Sequence, residues 1–121
     1  MTGTDDIRSW VMALPEVEET IHSRFRAPVW KVHGRTFLGL GKNEETAVFC
    51  VSEQQANAAA AADPASYAVV RRQDARRSFL GLEVVLGNLD SQRIRELAEK
   101  AWYQQAPKRL AAEHDRARDP H

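Results

Sequence analysis

The chain has 121 residues, and its 17 lysines and arginines balance 17 aspartates and glutamates to a formal net charge of zero. That length is one domain by the usual prior and buries roughly two thirds of the surface the unfolded chain exposes, while the charge balance excludes a polybasic protein held to nucleic acid by total charge. The single cysteine excludes a disulfide framework, and no run reaches the about 20 apolar residues of a membrane span.

In chain order, Thr4-Asp5-Asp6 reads as a helix start, a cap oxygen followed by two carboxylates over the positive end of the helix dipole. Ile7, Trp10, Val11 and Leu14 follow at helical spacing, and Pro15 ends the element. Thr20 to Ala27 reads as extended. Val29 to Val51 then reads as three antiparallel strands hinged at His33-Gly34 and at Lys42-Asn43-Glu44-Glu45, with Trp30 expected opposite Phe37 and Lys31 opposite Thr36.

Ser52 and Gln55 form a capping box for a second, alanine-rich helix that stops at Asp63-Pro64. Ser66 to Val70 is a further strand, and Phe79 to Leu86 another, with Leu80, Leu82, Val84 and Leu86 expected on one face. Between them, Arg71 to Ser78 has the composition of an exposed hairpin loop. Ile94, Leu97, Ala98, Ala101 and Trp102 mark the cleanest amphipathic helix. Pro107 starts a last helical segment, and a frayed tail is expected from about residue 116.

The charge is segregated by segment. Residues 21–42 carry Arg24, Arg26, Lys31, Arg35 and Lys42 with no acid; residues 43–70 carry Glu44, Glu45, Glu53 and Asp63 with no base; Arg71, Arg72, Arg76 and Arg77 then surround Asp74. Arginine presents a planar donor fork that matches phosphate oxygens. Two clusters are therefore candidates for anion binding: the loop arginines Arg71, Arg72, Arg76 and Arg77, supported by Arg24, Arg26, Lys31 and Arg35. Two plainer readings compete, a solvated loop that protects a sheet edge and neutralisation of the second cluster by Glu16, Glu18 and Glu19.

Leu14-Pro15-Glu16-Val17-Glu18-Glu19, Arg24-Phe25-Arg26-Ala27-Pro28, Trp30 to Phe37, Asp63-Pro64 and Ala106-Pro107-Lys108-Arg109-Leu110 occur in that order. In these motifs the chain resembles the MmcQ/YjbR family of small bacterial proteins, from about Ile7 to Leu110. The resemblance implies a two-layer α+β domain spanning residues 1–121, an antiparallel sheet of about five strands with helices on one face, in the order α-β(3)-α-β(2)-α. Members are commonly labelled DNA-binding through two protruding hairpins acting as paired wings, here Val29 to Leu40 and Tyr67 to Leu86. Where the family often has a tryptophan before the last strand, this chain has Arg76-Arg77-Ser78-Phe79.

No enzyme is expected. Asp5/Asp6 and Glu18/Glu19 are adjacent pairs whose side chains diverge, the four histidines show no metal spacing, no Gly-rich phosphate loop is present, and Cys50 sits in an apolar strand as an inert thiol. The tryptophans Trp10, Trp30 and Trp102 read as core. The expectation is a cytoplasmic protein, monomeric or a weak homodimer, without cofactor, metal or membrane, that contacts the phosphates of double-stranded DNA without reading sequence. The alternatives are a protein-interaction module of secretion-chaperone-like topology and a small-ligand pocket near Trp30 and Trp102.

Overall fold

Helix α1 spans Thr4–Met12 in the structure, a computed structural model that describes residues 2–21, 26–72, 75–76 and 78–118, without the side chains of Lys42 and Arg118. Its cap is Gly3, whose N–H donates to Asp6 Oδ2 at 3.0 Å, while Thr4 lies inside the first turn and gives its hydroxyl to Glu44 Oε1. The expected threonine cap is therefore displaced by one residue.

Strand β1, Val17–Ile21, pairs antiparallel with β2, Pro28–Val32, and makes the sheet six-stranded rather than about five. It begins earlier than the extended segment expected over Thr20–Ala27. Glu16, at φ +57°, turns the chain directly after Pro15, so pairing starts at Val17, and Arg26, at φ +53°, has left the extended region. Residues 22–25 lie outside the described residues.

The turn to β3, Arg35–Leu40, uses His33 and Gly34, both at positive φ (49° and 76°), as a two-residue hairpin loop of the mirror-image kind requires. Lys31 faces Thr36 as expected, but Trp30 faces Leu38 and not Phe37, because Phe37 is the extra residue of a β-bulge. The bulge lets Phe37 and Leu38 both be fully buried although they are adjacent. β4, Thr46–Phe49, follows a short 3₁₀ turn.

Ser52 and Gln55 make the expected reciprocal cap, at 3.1 and 3.2 Å, on α2, Glu53–Ala62. Then come β5, Tyr67–Arg71, β6, Phe79–Val85, a 3₁₀ turn at Leu86–Asn88, α3, Ser91–Gln105, and α4, Lys108–Arg118. The last helix runs past residue 116, where a frayed tail was expected. A second bulge, at Leu80 between the pairs Val70 with Gly81 and Arg71 with Phe79, takes Leu80 off the core-facing row, and it is 39% exposed.

The strand order is β1-β2-β3-β4-β6-β5, antiparallel throughout. One face is covered: α3 packs over β3 and β4, α2 over β5 and β6, and α1 against α3 and β1. Trp30, Phe37, Phe49, Leu82, Ile94 and Trp102 are the large buried side chains between the layers. Trp30 and Trp102 are core, as expected, while Trp10 is only partly buried at its margin. Trp102 Nε1 donates to the carbonyl of Pro15 at 3.1 Å and so ties α3 to the end of the α1 turn. All five stripe residues of α3 are buried. The opposite sheet face carries Lys31, Thr36, Gly39 and Val48, partly exposed, and Glu83, exposed.

Candidate functional site

The central strand β4 is short. Leu38 of β3 and Leu82 of β6 both pair with its last residue, Phe49, so the stretches before them, Arg35–Phe37 and Phe79–Gly81, run on without a strand between them. The β2–β3 and β5–β6 hairpins thus project roughly 7–10 Å beyond β4, at 3.3 Å per residue and allowing for a bulge in each. The two bulged residues, Phe37 and Leu80, both fall just past the end of β4, on facing walls of the gap. Bulges at such a position bend the hairpins and re-aim their side chains.

The gap opens onto the uncovered sheet face as one groove of about 880 Å³. Arg35, Thr36, Arg72, Phe79, Leu80 and Gln105 line its hairpin end; Val29, Gly39, Val48 and Glu83 line the part over the sheet, and Cys50 lies between. Gln105 closes the helix side, its Nε2 donating to the carbonyl of Thr36 at 2.8 Å. Cys50 N donates to the carbonyl of Phe37 at 2.9 Å. These two bonds satisfy the acceptors along the exposed edge of β3, which leaves that edge with little to offer a further strand.

The two arginine clusters do not assemble as expected. Arg71 and Arg72 are adjacent and point to opposite sides. Arg71 reaches back to Glu53 of α2 at 2.5 Å, whereas Arg72 lines the groove, its backbone N–H held by the carbonyl of Ser78 at 2.8 Å. Arg76 is exposed in the loop, and Arg77 lies outside the described residues. In the second cluster, Arg35 lines the groove, Lys31 sits on the same sheet opposite Glu18, and Arg26 precedes β2 at the far end from the hairpin tip. Arg24 lies outside the described residues. The groove therefore brings together Arg35 from one cluster and Arg72 from the other. Among the described residues neither forms an ion pair.

Of the three acids suspected of quenching the second cluster, Glu18 stands cross-strand from Lys31, while Glu16 and Glu19 have other partners. Glu16 meets His33 Nε2 at 3.0 Å at the hairpin tip. Glu19 accepts from Arg8 Nε at 2.7 Å and from Trp30 Nε1 at 2.9 Å. The hydrogen bond from Arg8, assisted by that from Trp30, holds the Glu19 carboxyl below the ordinary carboxylate range against the opposing effect of its burial. Cys50, expected inert within a strand, stands just after β4 and lines the groove, and burial pushes its thiol up.

Gln105 is a groove residue that sequence reasoning passed over, and Phe79, Thr36 and Cys50 were read only as a strand start, a cross-strand partner and an inert thiol. No local signal could have found them, because the groove arises from β4 ending at Phe49 between two longer neighbours, which depends on strand order. At the place of the alternative reading, a small-ligand pocket between sheet and helices near Trp30 and Trp102, both side chains are fully buried in the packing; the large concavity is on the other face. Among the described residues no group of three or more His, Cys, Asp or Glu side chains could hold a metal ion, and no helix is long and apolar enough to cross a membrane.

Comparison with solved structures finds the same fold in the crystal structure of Deinococcus radiodurans protein DR2400, described with a DUF419 domain. The TM-score is 0.72 at 19% identity, over 93% of this chain and 88% of that one. A search of curated proteins returns no match. The YjbR family model matches residues 12–104, from the end of α1 to the last turn of α3, which takes in the whole sheet with α2 and nearly all of α3. The chain belongs to the YjbR family.

Proposed function

We propose that this is a nucleic-acid-binding protein of the cytoplasm, a monomer or weak homodimer and not an enzyme, that holds the sugar–phosphate chain in the groove between its two hairpins. The observation that carries the reading is the meeting of Arg35 and Arg72 in one groove, each from a different hairpin and neither ion-paired among the described residues. Guanidinium forks are suited to phosphate oxygens, and contacts of this kind position a chain without reading its bases. The charge segregation along the sequence supports the same reading once reduced to these two side chains. Arg71, turned to Glu53, and Arg26, at the far end of β2, are outside it.

A second reading, a partner peptide lying on the uncovered sheet face, is favoured by the apolar floor of Val29, Gly39 and Val48. Salt separates the two, since phosphate contacts weaken as counterions are restored. The test is fluorescence anisotropy with a labelled mixed-sequence oligonucleotide at 50 and 200 mM salt. The wild-type protein binds at the lower salt, the Arg35→Ala/Arg72→Ala double variant loses about tenfold or more, and Arg26→Ala binds as wild type. Absence of binding at 50 mM salt, or wild-type affinity in the double variant, refutes the reading.

A further inference from the structure

We infer that the groove takes an unpaired strand rather than a duplex, an inference that rests on the nucleic-acid reading and names its substrate. Three features carry it: the width of the gap, the charge at the hairpin tips, and the apolar surface between the arginines.

β3 and β6 are separated by a single missing strand, so their backbones lie about two inter-strand spacings apart, roughly 9.5 Å, beyond the end of β4. One polynucleotide strand enters such a gap. A duplex does not, since its major groove alone is about 12 Å across. A duplex would have to be met by the hairpin tips, one in each of its grooves. The tip of the first hairpin is ill suited to that, because His33 is paired there with the exposed carboxylate of Glu16, and an acid at the tip repels phosphate. The cation of that hairpin, Arg35, lies on the groove wall instead.

Phe79 lines the same groove as the two arginines and is partly buried against the core, which restrains its ring. Cations that track a backbone next to an aromatic side chain form the usual equipment for unpaired strands, where stacking on the ring is indifferent to which base is present. Glu83 stands at the opposite end of the groove, at the level of Val48. A strand running the length of the sheet would meet that carboxylate. The favoured path therefore crosses between the hairpins, over the end of β4, and touches two phosphates rather than a long track.

The experiment titrates the full chain with a labelled 12-nucleotide single strand and with the 12-base-pair duplex of the same sequence, across a salt series. Two phosphate contacts on a single strand give a slope of log affinity against log salt of about −1.4, a loss of about sevenfold between 50 and 200 mM; four loop arginines on a duplex would give about −3.6 and a loss of about two orders of magnitude. The expected result is tighter binding of the single strand, by tenfold or more, with the shallow slope. Phe79→Leu, which keeps an apolar side chain against the core, weakens the single strand about fivefold to a hundredfold and leaves the far-ultraviolet circular dichroism unchanged. The bound strand also slows alkylation of Cys50. Equal or tighter duplex binding, or the steep slope, overturns the inference and leaves the nucleic-acid reading standing; binding of neither probe overturns both.

Discussion

Trp30 Nε1 donates to Glu19 Oε1 at 2.9 Å across the β1–β2 ladder, where the two residues stand directly opposite each other. Trp30 is fully buried, and the same carboxylate also takes the guanidinium of Arg8 from α1. One acid thus satisfies a buried indole and fastens the first helix to the edge strand. Removing it by Glu19→Ala strands the indole N–H and is expected to cost about 1–3 kcal/mol in urea unfolding.

The pH dependence of the same group has a definite sign. The folded-state carboxyl sits below its ordinary value, chiefly through the Arg8 hydrogen bond, so its contribution is complete above the unfolded value of about 4.3 and is lost as pH falls through the lower folded value. Glu19→Gln keeps an oxygen for Trp30 but has no charge to lose. Its melting temperature is expected to be lower than wild type at pH 7, with the gap closing as the buffer is taken from pH 5 towards pH 3. A constant gap over that range would contradict the assignment.

Gly81 packs against the end of β4 with no room for a side chain. A Cβ there would lie 2.8 Å from Val48 Cγ1 and 2.9 Å from the Phe49 carbonyl oxygen, and the latter is backbone held in the ladder. Gly81→Ala is expected to destabilise by about 1–3 kcal/mol, the usual cost of overpacking, read as a lower denaturation midpoint with an unchanged m-value. Because Val48 also lines the groove, a stable variant with altered oligonucleotide affinity would report the same displacement from the other side.

Helix α2 buries only Ala56 completely, so its stability leans on alanine propensity and on the Ser52–Gln55 cap. Ser52→Ala is expected to cost about 1 kcal/mol and a few degrees of Tm. Ser52→Gly should cost only a few tenths, because glycine tolerates the cap conformation and leaves the helix N–H groups open to water.

Cys50 is the sole cysteine, so total thiol labelling reads this one site. Burial disfavours the thiolate, which is the reactive form. Labelling by iodoacetamide is expected to be slower than for a free thiol at pH 7.5 and to accelerate through a midpoint above the ordinary thiol value. Full thiolate reactivity at neutral pH would contradict the burial at the groove floor.

Local chemistry in the sequence specifies much of this architecture. Ser52 with Gln55 and the stripe Ile94, Leu97, Ala98, Ala101, Trp102 identify α2 and α3 because capping and helical periodicity are properties of neighbouring residues. The bulges at Phe37 and Leu80 are not legible in that way, since an extra residue exists only relative to a partner strand. The placement of β4 beside β6, and hence the groove, depends likewise on strand order, which no local pattern encodes. The divergence of Arg71 and Arg72 was not legible either, because β5 runs one residue past the expected strand end at Val70, which puts Arg71 on the strand and leaves Arg72 beyond it.

The bond from Trp102 to Pro15 joins positions 87 residues apart, and α3, the helix that covers β3 and β4, follows all six strands in the chain. During synthesis the sheet strands leave the ribosome before the side chains that shield them. Until α3 arrives, Phe37 on β3 and Phe49 on β4 lack the helix that covers them, and the nascent domain carries a bare greasy face of the kind chaperones hold. Commitment to the native state thereby waits on α3.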